Sequence, residues 1–237
     1  MSFLTAIFNR TPAVTQTHLY YIYDPMCSWC WGFRETWQQM QEALSAMQDE
    51  QGEPIKVVPV LGGLRADDAP FMSEPAKNNA QVTWQRIQQG IPGTKFNYDL
   101  WQPGQSMRAP TYPACRAILA AGLQGEDYKE AMCLVIQQRY YLQAVMPVSD
   151  EALVSCAEFI GLDTQQFAAD LHSEAVNHAL FDEIELRERL FRQTGAKRFP
   201  SLVLAKRDGS VQRMSINYQQ AEVNLATIAG QLLAKAS

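Results

Sequence analysis

Two hydrophobic periods divide the chain. His18-Leu-Tyr-Tyr-Ile-Tyr23 is a continuous apolar run that stops at Asp24-Pro25, and it predicts a buried strand. Beyond Pro25 the period changes. Cys30, Phe33, Trp37, Met40, Leu44 and Met47 recur three and four residues apart, which predicts a helix with one buried face. Gln38, Gln39, Gln41 and Glu42 fall on its other side. After Gly52 and Pro54, residues 55–61 predict a second strand, closed by Gly62-Gly63. Pro59 inside that run cannot donate to a ladder, so it marks a bulge or a sheet edge. The opening of the chain is therefore a βαβ unit.

The middle is helical pattern, over 73–89, 112–123, 128–142, 149–160, 164–172 and 173–194. Ser149-Asp-Glu-Ala and Asp163-Thr-Gln-Gln have the form of capped starts. Between Gly90 and Pro110 lies a stretch rich in glycine, proline and aromatics, including Phe96, Tyr98 and Trp101. It is long for a plain connection, so it is either functional or folded on itself. The end returns to strand pattern. Residues 199–205 and 211–216 flank Asp208-Gly209, a hairpin signal, and a helix over 219–234 closes the chain. The pattern predicts an α/β fold in which a helical block separates βαβ from ββα.

Composition narrows the function. At 237 residues, 47% apolar, the chain can bury a core without disulfide or metal staples. With 20 basic against 25 acidic residues, net −5, it lacks the dense positive surface that nucleic acid or an anionic membrane requires. No run of about 18 apolar residues suggests a membrane span. Residues 1–10 hold a short apolar stretch broken by Thr5, with Arg10 after it, and read as an extension rather than a secretory signal. Five cysteines, an odd number, make no disulfide scaffold. These features predict a cytoplasmic protein whose thiols are kept reduced.

Cys27-Ser-Trp-Cys30 stands where the first strand hands over to the first helix. One helical turn lets the second sulfur reach back to the first. The first cysteine then lies at the helix N-terminus, where free N–H groups and the macrodipole favour a thiolate. Such a thiolate attacks a disulfide, and the second cysteine resolves the mixed disulfide. Cys27 is the expected nucleophile and Cys30 the resolver. A structural zinc site would need about four ligands, and neither a second C-x-x-C nor a suitable histidine pair accompanies this one. Cys115, Cys133 and Cys156 sit in helical apolar pattern and read as small core residues. Cys115 also follows Arg108-Ala-Pro-Thr-Tyr-Pro, a loop that could face the redox pair.

Residues 23–33, Tyr-Asp-Pro-Met-Cys-Ser-Trp-Cys-Trp-Gly-Phe, the helical middle and Arg198-Phe-Pro-Ser-Leu-Val-Leu204 together resemble the DsbA-like branch of the thioredoxin superfamily. Within that branch the chain resembles the cytoplasmic FrnE-like proteins, a group of predicted protein-disulfide isomerases. The resemblance implies a thioredoxin-like core from 1–64 and 173–237, with an all-helical domain inserted at 65–172. It implies that Pro200 follows a cis bond and faces the cysteine pair, with Phe199 offering its backbone to a substrate chain. It departs from the family where thioredoxins and DsbA carry a buried acid six positions before the first cysteine, since that position is Tyr21. Asp24 is the nearest acid and could either move protons or cap the helix. Trp29, Trp31 and Phe33 are either a platform for substrate or packing. Arg65, Arg108 and Arg116 are candidate anion contacts.

The implied activity is dithiol–disulfide oxidoreduction or isomerisation on protein thiols. It needs no resident cofactor, though glutathione could serve as co-substrate, and the recycling partner is open. A second possibility is a glutathione-using isomerase or transferase, similar to the kappa-type transferases and 2-hydroxychromene-2-carboxylate isomerases. Those typically present serine where Cys27 stands, so the intact pair favours the first. A third is a partner-binding module without turnover.

Overall fold

The computed structural model describes residues 15–101 and 107–234. The extension at 1–10 and part of the 90–110 stretch lie outside the described residues. In chain order the elements are β1 (His18–Tyr23), α1 (Ser28–Ser45), β2 (Lys56–Leu61), α2 (Glu74–Gly90), a 3-10 turn (Tyr98–Leu100), α3 (Tyr112–Gln124), α4 (Tyr128–Gln143), α5 (Asp150–Phe159), α6 (Thr164–Leu171), α7 (Glu174–Thr194), β3 (Ser201–Ala205), β4 (Val211–Met214) and α8 (Ala221–Leu233). The four strands lie in the order β2-β1-β3-β4. β2 runs parallel to β1, whereas β3 is antiparallel to both β1 and β4. β2 is an edge strand, and Pro59 faces Tyr21 in unbroken register. Of the two readings of that proline, the edge is correct.

Strand alternation sorts the core into two layers. Ile22, Val60 and Val203 point to one face, where Leu190 of α7 packs on them. Leu19, Tyr21, Tyr23, Leu61, Leu202 and Leu204 point to the other, and join the side chains of α1, α8 and the helices α2–α6 in one continuous cluster. β1 and β3 are covered on both sides, which is why they read as unbroken apolar runs. The predicted cap at Ser149 accepts from Ala152 N, and that at Asp163 from Gln165 N and Gln166 N. The described part of the 90–110 stretch packs onto the helices: Phe96 and Trp101 sit 4.7 and 5.0 Å from the Trp84 ring, and Asn97 N donates to Tyr141 O.

One side chain ties the helical block to the sheet. Asp24 has no exposed surface. Its Oδ1 accepts from Met26 N at 2.9 Å. Its Oδ2 accepts from Leu64 N at 2.7 Å, from the Thr111 hydroxyl at 2.7 Å and from the Cys115 thiol at 3.9 Å. The turn after β1, the turn after β2 and the start of α3 are thus joined at a single carboxylate. Gly62, in the turn after β2, makes room for the next feature of the site. A Cβ on it would collide with the Phe199 ring.

Two variants test these constraints. Asp24→Asn keeps the shape but presents an amide N–H to donors, so it should lower the stability by roughly 1–3 kcal/mol, the cost of a buried polar group left unmatched. Gly62→Ala should cost roughly 1–3 kcal/mol through overpacking. Adding Phe199→Ala should return most of the second loss. Urea unfolding of the single and double variants reads both.

Candidate active site: the Cys27–Cys30 pair

The site begins where β1 ends. Asp24-Pro25-Met26 turns the chain, and Cys27 N donates to Asp24 O at 3.1 Å. Cys27 is the N-cap of α1, in extended conformation (φ −82°, ψ 117°), and no side chain caps that helix. Asp24 is therefore not a helix cap; its carboxylate is spent on the turn and on α3. The N–H groups of the first turn, next to Cys27, are left without a side-chain cap. Both cysteines are unbonded. Their surroundings differ. Cys27 retains 9% exposure and Cys30 only 1%. Burial pushes the Cys30 thiol well up, and its hydrogen bond with Cys27 and the neighbouring Asp24 charge add to the rise.

The Phe199–Pro200 peptide bond is cis. The Cys27 thiol donates to Phe199 O at 3.5 Å across 172 residues of sequence. The pairing of β1 with β3 accounts for this approach. Their antiparallel register sets Ile22 opposite Ser201, so the end of β1 meets the start of β3. The Phe199 ring lies 5.7 Å from Phe191 and is partly buried, while Pro200 is buried.

The aromatic residues of the motif separate. Trp29 is partly exposed and packs 5.1 Å from Tyr218, forming a rim beside the pair. Trp31 corrects the expectation of a substrate contact. Its ring is buried against Tyr141 at 5.4 Å, its Nε1 donates to Lys95 O at 3.0 Å, and Arg34 covers it at 3.8 Å. Phe33 is wholly core. Two of the three arginines, Arg108 and Arg116, are engaged elsewhere in the fold. Arg108 donates to Ala69 O at 2.9 Å and Asp67 O at 2.8 Å, so as a staple for that loop it is a poor anion site. Arg116 makes a two-pronged pair with Asp67 at 2.7 and 2.8 Å. Cys115 is buried, and burial together with the Asp24 charge pushes its thiol well up, so it behaves as a core residue bonded to Asp24.

Three participants carry no sequence motif. Thr111 lies in the loop that precedes Cys115, and it reaches the site through Asp24. Tyr218 follows β4, outside any recognisable pattern. Glu183 sits among the charges of α7, where it reads as part of a solvated face, yet its Oε2 accepts from Leu61 N on the open edge of β2. Burial, opposed by that amide and by Lys129, pushes the Glu183 carboxyl up to about 7.

A thioredoxin family model matches residues 20–224. Among solved structures, the chain is similar to a candidate protein disulfide isomerase of Nitrosomonas europaea, with TM-score 0.74, 21% identity, and coverage of 92% of this chain and 98% of that one. It is also similar to the cytosolic disulfide reductase DsbM of Pseudomonas aeruginosa, with TM-score 0.65, 24% identity, and coverage of 91% and 98%. DsbM has also been solved with GSH. Curated relatives include the ClpXP adapter protein SpxH of Halalkalibacterium halodurans, 25% identical over 166 residues, or 68% of this chain and 51% of that protein. SpxH of Shouchella clausii is 26% identical over 176 residues, or 73% and 54%. The chain spans about half the length of these curated relatives. With the family model covering most of the chain and the cysteine turn at the head of α1, the chain belongs to the thioredoxin family and carries its DsbA-like fold.

Proposed function

We propose that this protein is a dithiol–disulfide oxidoreductase whose working pair is Cys27 and Cys30. The observation that carries the reading is the asymmetry within one helical turn. Cys27 stands at an open helix end beside the Phe199 carbonyl, and Cys30 is sealed behind it. Cys27 attacks a substrate disulfide, one substrate sulfur leaves, and a mixed disulfide remains on Cys27. Cys30 attacks that bond, closing the Cys27–Cys30 disulfide and releasing the second substrate thiol. Phe199 and Pro200 border the nucleophile and offer a backbone edge to an extended substrate segment. Trp29 with Tyr218 supplies an apolar contact for the same segment. Asp24 holds the turn in register.

The substrates are protein disulfides or mixed disulfides of glutathione, and glutathione is a candidate recycling thiol. The fold shared with DsbM, solved with GSH, supports that choice. The cytoplasm is the fitting compartment. In support, DsbM is cytosolic, and among the described residues no helix is long and apolar enough to cross a membrane. The glutathione transferase reading is weaker, because such enzymes need no protein thiol where Cys27 stands. A role as a protein adapter is the second reading, favoured by the similarity to SpxH.

Replacing Cys27 with Ser should abolish reduction of insulin disulfides, followed by turbidity. Cys30→Ser should instead accumulate mixed disulfides on Cys27, seen by intact-mass measurement. Full activity in the Cys27 variant would sink the oxidoreductase reading. With limiting iodoacetamide, Cys27 should carry the label well before Cys115, Cys133 or Cys156. Equal labelling by peptide mapping would remove its assignment as nucleophile. A variant lacking both thiols that still captured the partners of the wild type would favour the adapter reading.

A further inference from the structure

Closing the Cys27–Cys30 disulfide requires Cys30 to lose a proton that its burial holds tightly. Asp24 is a carboxylate whose charge acts on Cys30, but both of its oxygens already accept, from Met26 N on one side and from Leu64 N, Thr111 and Cys115 on the other. It has no exposed surface. A proton delivered there would break the ties that hold the turn, and it would have no way out.

Glu183 is placed differently. A cavity of about 320 Å³ lies between the β2 edge, α1 and α4, and both Cys30 and Glu183 line it, together with Tyr21, Tyr23 and Cys133. Cys27 does not line it. The cavity therefore meets Cys30 on a side away from the substrate face. At about 30 Å³ per water molecule it has room for several. Leu61 N bonds one Glu183 oxygen, and the Glu183 side chain borders the cavity.

We propose that Glu183 exchanges the proton of Cys30 with solvent through water in this cavity. The inference rests on the dithiol reading of the pair. In the resolving step the Cys30 thiol gives its proton by way of water to the Glu183 carboxylate. The resulting thiolate attacks the Cys27 sulfur of the mixed disulfide, the Cys27–Cys30 bond forms, and the substrate leaves as a thiolate that is protonated from solvent. Glu183 then returns its proton to solvent at the cavity mouth. Reduction of the pair runs the same route backwards.

The charges facing Glu183 set where it works. From α4 come Lys129 and Glu130, from the turn before it Glu126 and Asp127, and from α1 Arg34. Tyr21 and Tyr23 of β1 and Cys133 of α4 have their own ionisation pushed up by burial, Cys133 to about 12, so they stay neutral near pH 7. Lys129 lowers the Glu183 ionisation and Glu126 raises it. Below about 7 Glu183 is protonated and cannot accept. Above that value the carboxylate accepts, so resolution should accelerate as pH rises through it.

Stopped-flow reaction of the reduced protein with a dithiobis-nitrobenzoate separates the two steps, because each releases one coloured thiolate. The first release reports attack by Cys27 and the second reports resolution by Cys30. In the wild type the second release should rise with pH through an inflection near 7. In Glu183→Gln, which keeps an acceptor for Leu61 N, the inflection should vanish. Near neutral pH the second release should slow by roughly 100-fold, the lower end of what a positioned base supplies, while the first is unchanged. Glu183→Asp should restore part of the inflection, and Lys129→Met should move it to higher pH. If the Gln variant does not fold, the Lys129→Met profile decides, and an unshifted inflection overturns the proposal. A wild-type profile for the second release in Glu183→Gln overturns it equally. Absence of the first release in the wild type would instead overturn the dithiol reading beneath it.

Discussion

A single buried carboxylate organises this molecule. Removing Asp24 from water costs several kcal/mol unless donors replace the lost hydration. Four donors do so, drawn from the turn after β1, the turn after β2 and the first turn of α3. Those three segments are remote in sequence, and none can shift without leaving a donor or an acceptor unmatched. The start of α1, and with it Cys27, inherits its position from this junction. Burial still wins over the donors, and the Asp24 carboxyl stays above its ordinary range. Its negative charge in turn opposes ionisation of Cys30 and Cys115.

The two cysteines of the motif are chemically alike in the unfolded chain, and the fold makes them unlike. Cys27 faces the open end of a helix and the Phe199 carbonyl. Cys30 faces the interior, beside Asp24 and the rings of β1. One thiol therefore meets the start of β3 while the other is turned to the cavity behind it. Gly62 belongs to the same design, because only the absence of a side chain lets the Phe199 ring settle against the turn after β2 while its carbonyl meets Cys27. The cavity behind Cys30 adds a second approach, one that serves protons rather than substrates. It exists because β2 is an edge strand whose outward N–H is met by a side chain of α7 instead of another strand.

The secondary structure is legible in the chain because the relevant signals are local. The continuous apolar runs of β1 and β3 reflect burial on both faces. The three- and four-residue spacing from Cys30 to Met47 reflects a helix packed along one side. Ser149 and Asp163 announce their helices through caps two or three residues away. Cys27-Ser-Trp-Cys30 is equally local, since one helical turn suffices to bring the sulfurs together. The proposed nucleophile and resolver are thus recognisable from a few neighbouring residues, and the proline at the start of β3 from the family resemblance of its strand.

Tertiary structure decided what those candidates do and which others join them. Asp24 has the composition of a helix cap, but beyond the local Met26 N its donors come from Leu64, Thr111 and Cys115, positions that no spacing rule connects to it. Trp29 and Trp31 are two residues apart, and a helix rotates them to different sides, so one lines the rim and the other is packed under Arg34. Glu183 looks like any charge on an amphipathic helix until β2 presents Leu61 N to it, 122 positions away. The sequence by itself determined the elements and the Cys27–Cys30 turn, because periodicity, caps and C-x-x-C act over a few residues. The environment that distinguishes two identical thiols arises from burial and charge contributed by distant segments, and only the packed chain brings those together.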